Sequence, residues 1–224
     1  IGFCKNLEKL VGTTLLSKQR GRPKQIKKKR KDMYSKLVVL DKTEHKDLKV
    51  KPMADLAFAK DLSFVPVVAN EVALVGKDFP VVFTSGDAPA LITLTSLGGS
   101  NLALNQENKW ITQYVPLHLR KYPFSIAGTK ENPDQKIILI DEESPLVNKE
   151  EGASIFEEDV EQTDMLKNAV KFLQEVEVNA AKTANIAKII SDSGILEDRE
   201  ITIGEGDEKK VFVNGFRVVN KEKL

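Results

Sequence analysis

Apolar residues recur at three- and four-residue steps along Leu166, Ala169, Val170, Leu173, Val176, Ala180, Ala184, Ala187 and Ile190. One stripe at that spacing predicts a long amphipathic helix over about 163–191. Thr163 is placed to cap it, Asp164 suits the positive end of the helix dipole, and Gly194 sits where the chain must reverse. A shorter helix is predicted over Ala69–Lys77, with Val72, Ala73, Leu74 and Val75 apolar and Gly76 near its end. Asp55–Leu62 carries enough pattern for a helical turn or two.

Elsewhere the pattern is that of strands. Lys36–Leu40 is β-branched, and the charged stretch Asp41–Lys51 after it reads as turns. Pro80–Thr84 and Ala90–Leu97 flank the turn signal Ser85-Gly86-Asp87-Ala88-Pro89. A short strand, Leu102–Leu104, lies between Gly98-Gly99 and Gln106-Glu107-Asn108-Lys109. Phe124–Gly128 and Lys136–Asp141 form a hairpin across Asn132-Pro133-Asp134, and Glu200–Ile203 with Lys210–Val219 form another. Strands, then a helix, then strands, with no regular βα alternation, predict an α+β fold: a mainly antiparallel sheet with one long helix packed on it.

Charge divides the chain near Met33. Up to Asp32 eleven Lys and Arg face Glu8 and Asp32, a net of +9; the rest carries 23 basic and 31 acidic residues, a net of −8. This predicts a basic, disordered tail over 1–32 and one globular domain over 33–224. Because the chain opens on Ile1 and the tail ends just before Met33, the tail is expected to be upstream translation or a fusion. The single cysteine, Cys4, lies in the tail, so a disulfide framework for the domain is excluded. Apolar runs such as Ile137–Ile140 are far too short to span a bilayer, and no signal peptide is evident. The chain as written is expected to be soluble and cytoplasmic.

Most catalytic chemistries lack their motifs. His45 and His118 stand apart with no second histidine at ligand spacing, so no metal site is expected. Acidic runs at Asp141-Glu142-Glu143 and Glu157-Glu158-Asp159 lack the spacing of a calcium loop. Neither a Walker loop nor a Gly-x-Gly-x-x-Gly fingerprint is present, and no Gly-x-Ser-x-Gly elbow marks a nucleophile. No cofactor is expected.

Two segments carry candidate binding residues. The stretch from Trp110 to Phe124 gathers Trp110, Tyr114, His118, Arg120 and Tyr122 between Pro116 and Pro123, and Asp141 is the nearest candidate acid. Aromatics beside Arg are what binding hot spots use, and they are equally what cores use; the sequence leaves both readings open. In the tail, Arg20, Gly21, Arg22, Pro23 and Lys24 resemble an AT-hook, whose arginines enter a narrow A·T minor groove. Lys27–Lys31 would add phosphate contacts.

Several segments, in order, are similar to the bacterial SapC family, named for a surface-layer-associated protein. They include Met33-Tyr34-Ser35-Lys36-Leu37-Val38, His45-Lys46-Asp47-Leu48-Lys49-Val50, and Asp78-Phe79-Pro80-Val81-Val82-Phe83. The resemblance is closest over Asn101–Trp110, Tyr114-Val115-Pro116 and Arg120-Lys121-Tyr122-Pro123-Phe124, and it continues through Glu150-Glu151-Gly152 to Gly215-Phe216-Arg217-Val218-Val219. It covers 33–224, leaves the tail outside, and implies a C-terminus cut short. It also implies a link to a surface-layer system, but brings no catalytic residues. The expectation is a bacterial accessory protein that binds a surface-layer or other bacterial protein or peptide. The rivals are an enzyme of unrecognised class acting on a peptide or small molecule, and a DNA-associated protein using the tail.

Overall fold

A computed structural model describes residues 33–97, 100–128, 135–203 and 210–224, without the side chains of Ile203, Lys210 and Phe212. The basic tail, with its AT-hook-like residues, lies outside the described residues, as do the turn signals at Gly98-Gly99, Asn132-Pro133-Asp134 and Gly204-Glu205-Gly206-Asp207. Three antiparallel sheets and one long helix make up the frame, which is the α+β class that the pattern predicts.

The first sheet has the order β1 (Leu37–Val39), β7 (Lys136–Asp141), β6 (Phe124–Gly128). Phe124 pairs with Ile140 and Gly128 with Lys136, so the predicted hairpin forms with the predicted strand ends. The second sheet joins β10 (Leu196–Ile203), β11 (Lys210–Val219), β4 (Val81–Thr84), β5 (Leu91–Leu94) and β3 (Phe64–Pro66), in that order. A third consists of two-residue strands: β8 (Val147–Asn148), β2 (Lys49–Val50) and β9 (Ala153–Ser154). Such short ladders carry too little periodicity to be read from sequence. Leu102–Leu104 does not form a strand; Leu104 makes only an isolated bridge to Trp110.

Between strands, Ala57–Ala59 and Ala69–Glu71 are 3-10 turns, and the second runs into α1 (Val72–Val75). A second short helix, α2 (Leu117–Arg120), begins after Pro116. The long helix α3 (Asp164–Asp192) starts at the predicted cap, where Thr163 Oγ1 accepts the Leu166 N–H at 3.3 Å. Its buried positions are Leu166, Leu173, Val176, Thr183 and Ala187. Thr183 holds a place on this face where the pattern put Ala180. Its hydroxyl is satisfied on both sides, donating to Asn179 O at 2.7 Å and accepting the Ala69 N–H at 2.8 Å.

The apolar residues gather in three clusters. Leu166 and Leu173 of α3 pack with Phe124, Ile126, Ile140, Ile155 and Phe156. Met33, Leu56, Leu62, Val65, Leu119 and Tyr122 form a second cluster, against which Trp110 and Val115 lie. Val82, Ile92, Leu94 and Phe216 form the third, within the five-stranded sheet. Both α3 and α2 are therefore pinned from beneath, and this fixes the surface between them.

Candidate functional site

That surface is a cleft of about 410 Å³, walled by the Asn70–Leu74 turn, by Tyr114, Leu117 and Arg120, and by Phe172, Glu175, Val176 and Asn179 of α3. Its volume falls in the roughly 300–1,000 Å³ range of small-ligand sites.

At its base lies Glu71, 2% exposed. The Val68-Ala69-Asn70-Glu71 turn brings the carboxylate back on its own start, where Oε1 accepts the Val68 N–H at 2.9 Å. This is one half of a capping box. Oε2 accepts the Leu117 N–H and the Tyr114 hydroxyl, each at 2.9 Å. The first turn of a helix leaves N–H groups without intrahelical partners, and Glu71 supplies one for α2. A buried carboxylate with three donors is a structural fastener between two distant chain segments.

Above Glu71 the Tyr114 phenol is pushed up to about 12, by burial first and then by its hydrogen bond to Glu71. Its hydrogen is committed to Glu71, and the nearby Arg120 guanidinium partly offsets the upward shift through its charge. Arg120 also rests on the Phe172 ring, with its central carbon 5.3 Å from the ring centre. Among the described residues no carboxylate lies within ion-pair distance of Arg120. Leu117 and Arg120 are three residues apart, so they share one side of the α2 turn.

His118 and Lys121 also stand three apart, one position on. Burial holds the His118 imidazole well below its ordinary range, and the Lys121 charge adds to this. Burial also lowers the Lys121 ammonium to about 8, with Glu177 opposing the shift. Neither residue lines the cleft.

The remaining candidates go elsewhere. Trp110 packs edge-on to Phe79, ring centres 5.6 Å apart, and donates its indole N–H to Thr112 Oγ1 and Tyr114 O, each at 2.8 Å. Tyr122 is buried, stacked on Phe58 at 3.9 Å, with its hydroxyl 3.4 Å from Asp141. Asp141 is fully buried and accepts the Ser35 and Lys36 N–H groups at 2.9 and 2.7 Å. The next residue, Glu142, turns outward to Lys36 at 2.7 Å and to His45 at 3.1 Å. The Asp41 N–H lies 2.9 Å from His45 Nδ1, and His45 Nε2 lies 3.1 Å from the Glu142 carboxylate. Of the six candidates in the domain, then, the fold brings only Tyr114 and Arg120 together in the cleft.

The family model of SapC matches residues 40–224. The chain belongs to the SapC family. No curated protein and no solved structure matches it. The SapC match takes in every residue of the cleft. Among the described residues no helix is long and apolar enough to cross a membrane, and no three His, Cys, Asp or Glu side chains converge to hold a metal ion.

Glu71, Asn70, Phe172 and Asn179 were not legible as site residues. Glu71 alone had a local signal, the return of an acid three residues after the start of a helical turn. The others face the cleft only because α3 crosses over the 69–71 turn, a relationship without any local signature.

Proposed function

We propose that this SapC protein is a bacterial accessory protein of a surface-layer system and acts by binding a protein or peptide segment in the cleft between α1, α2 and α3. The observation that carries this reading is the state of the charged groups there. Both oxygens of Glu71 are occupied by donors from the chain itself, while Arg120 lies over Phe172 and near Tyr114, exposed and without a carboxylate at ion-pair distance among the described residues. The apolar members of the cleft, Leu74, Leu117, Phe172 and Val176, offer contact area, and Asn70 and Asn179 offer amides for a peptide backbone.

The test is a panel of short fluorescent peptides, drawn from surface-layer and other envelope proteins, titrated by anisotropy into the chain and into Leu74→Asp and Arg120→Ala. Saturable binding that both substitutions abolish supports the reading. Binding that neither substitution changes places the contact elsewhere and refutes it. Turnover of a peptide by the unaltered chain would refute binding as the sole activity.

A further inference from the structure

We infer that the cleft recognises a carboxylate carried by an apolar peptide, and that Arg120 is the group that reads it. The inference rests on the binding proposed above and specifies its ligand. Arg120 has five N–H donors in a planar fork, its guanidinium lies over the Phe172 ring with the central carbon 5.3 Å from the ring centre, and the Tyr114 phenol stands close enough to feel its charge. Tyr114 is itself fixed, because its hydrogen goes to Glu71 and Glu71 is locked by two backbone N–H groups. The fork is therefore oriented before any ligand arrives. With its outer donors uncommitted among the described residues, the geometry suits a planar two-oxygen acceptor bound side by side.

The surroundings select among anions. Glu71 and Glu175 also line the cleft, so a doubly charged phosphate would meet one cation and two acids. A singly charged carboxylate meets the same acids with half the charge, and one guanidinium matches it. Leu74, Leu117 and Val176 make the adjoining wall apolar, which suits aliphatic or aromatic side chains next to the charge. Two sources supply such a group: the C-terminus of a peptide, or an internal Asp or Glu.

Three probes separate these cases, with shifts followed by ¹H–¹⁵N NMR at the Leu117 amide and the Arg120 Nε–H: acetyl-Ala-Leu-Phe with a free carboxylate, the same peptide as its C-terminal amide, and acetyl-Glu-Leu-Phe amide. The free acid is expected to bind at least about tenfold more tightly than its amide, as loss of a charge-assisted pair would require. Arg120→Ala should erase that difference, and Arg120→Lys should restore only a small part of it, because an ammonium cannot form the paired contact. Arg120 is exposed, so these variants should keep the unaltered chain's spectrum away from the cleft. If acetyl-Glu-Leu-Phe amide matches the free acid, the inference stands with the side chain as a source; if it binds like the plain amide, the inference stands with the C-terminus as the source. Equal affinity for all three probes overturns the carboxylate inference alone, whereas tighter binding of acetyl-Glu-Leu-Phe amide than of both others upholds it with the side chain as the source. If no probe shifts the cleft signals, both the inference and the binding site beneath it fail.

Discussion

The Lys36 N–H donates to Asp141 Oδ1 at 2.7 Å, joining the segment before β1 to the end of β7 across 105 positions of sequence. The Ser35 N–H meets the other oxygen at 2.9 Å, so a fully buried carboxylate closes the entry to β1. Asp141→Ala would leave two inward-facing N–H groups unmatched. A loss of about 2–4 kcal/mol is expected, measured as a shift in the urea midpoint at unchanged slope. A loss below half a kcal/mol would show that water replaces the carboxylate and that the tie is not structural.

Glu71 joins the 69–71 turn to α2, so its charge matters less than its capacity to accept. Glu71→Gln puts an amide N–H against one set of donors. It should cost about 1–3 kcal/mol in urea unfolding and loosen the hold on Tyr114. The Tyr114 phenol, held near 12 by burial and by Glu71, should then titrate lower in ultraviolet absorbance. An unchanged tyrosine titration would contradict the Glu71–Tyr114 hydrogen bond.

Stability should rise with pH in two separate windows. The His118 imidazole is held well below its usual value in the folded chain by burial, so below about pH 6.5 the unfolded chain binds the extra proton and rising pH favours the fold. Lys121 repeats this higher up. With the folded ammonium lowered to about 8 against an unfolded value of 10.5, stability should climb from about pH 8 toward pH 10. The gain is at most on the order of 3 kcal/mol. Tyr114 and Tyr122, both raised to about 12, act in the opposite sense only above about pH 10, where unfolded tyrosines begin to lose their protons. Lys121→Met should flatten the upper window and His118→Gln the lower one in unfolding free energies taken along the pH series. Equal slopes in variant and parent would rule out these groups as the cause.

Gly152 has φ +109°, and a Cβ there would stand 2.4 Å from Val50 O. That separation is a clash with backbone in β2, which cannot swing aside as a side-chain tip can. Gly152→Ala should therefore lower stability by more than about 1–3 kcal/mol, the range for a strained backbone position alone, with a matching fall in Tm. Gly194→Ala is the control. Its φ is +72° but nothing lies within 4 Å of the added methyl, so its cost should stay near that of the backbone strain, about 1 kcal/mol.

Thr163→Ala removes the hydroxyl that accepts the Leu166 N–H and donates to Ser154 O at 2.8 Å. A loss of about 1–2 kcal/mol is expected, with Thr163→Ser recovering most of it. Failure of serine to rescue would mean that the methyl group, not the cap, holds the helix start.

How much could be read in advance follows the range of each interaction. The helix over Asp164–Asp192 and its Thr163 cap are written in local spacing, because one buried face recurs every three or four residues. The pairs β4 with β5, β6 with β7 and β10 with β11 join neighbouring segments, so alternation and turn residues announce them. The β2-centred sheet brings Val50 beside Val147 and Ala153, about a hundred positions apart, in strands of two residues, and no local pattern foretells it. Thr183 on the buried helix face was likewise unreadable, since its hydroxyl is acceptable there only because Ala69 N–H arrives from elsewhere.

The same division runs through the site. By itself the sequence determined the α+β class, the long helix, the hairpins, and the concentration of aromatics and Arg between Trp110 and Phe124, because composition and periodicity are local properties. It left open which of those side chains would be core. Only the tertiary structure sent Trp110, Tyr122 and Asp141 inward and brought Tyr114 and Arg120 to face Phe172 of α3. The reason is physical. Burial and charge pairing depend on which distant surface arrives opposite a residue, and Glu71, which fixes Tyr114 and α2 from 43 and 46 positions away, gives almost no sign of that task in its own neighbourhood.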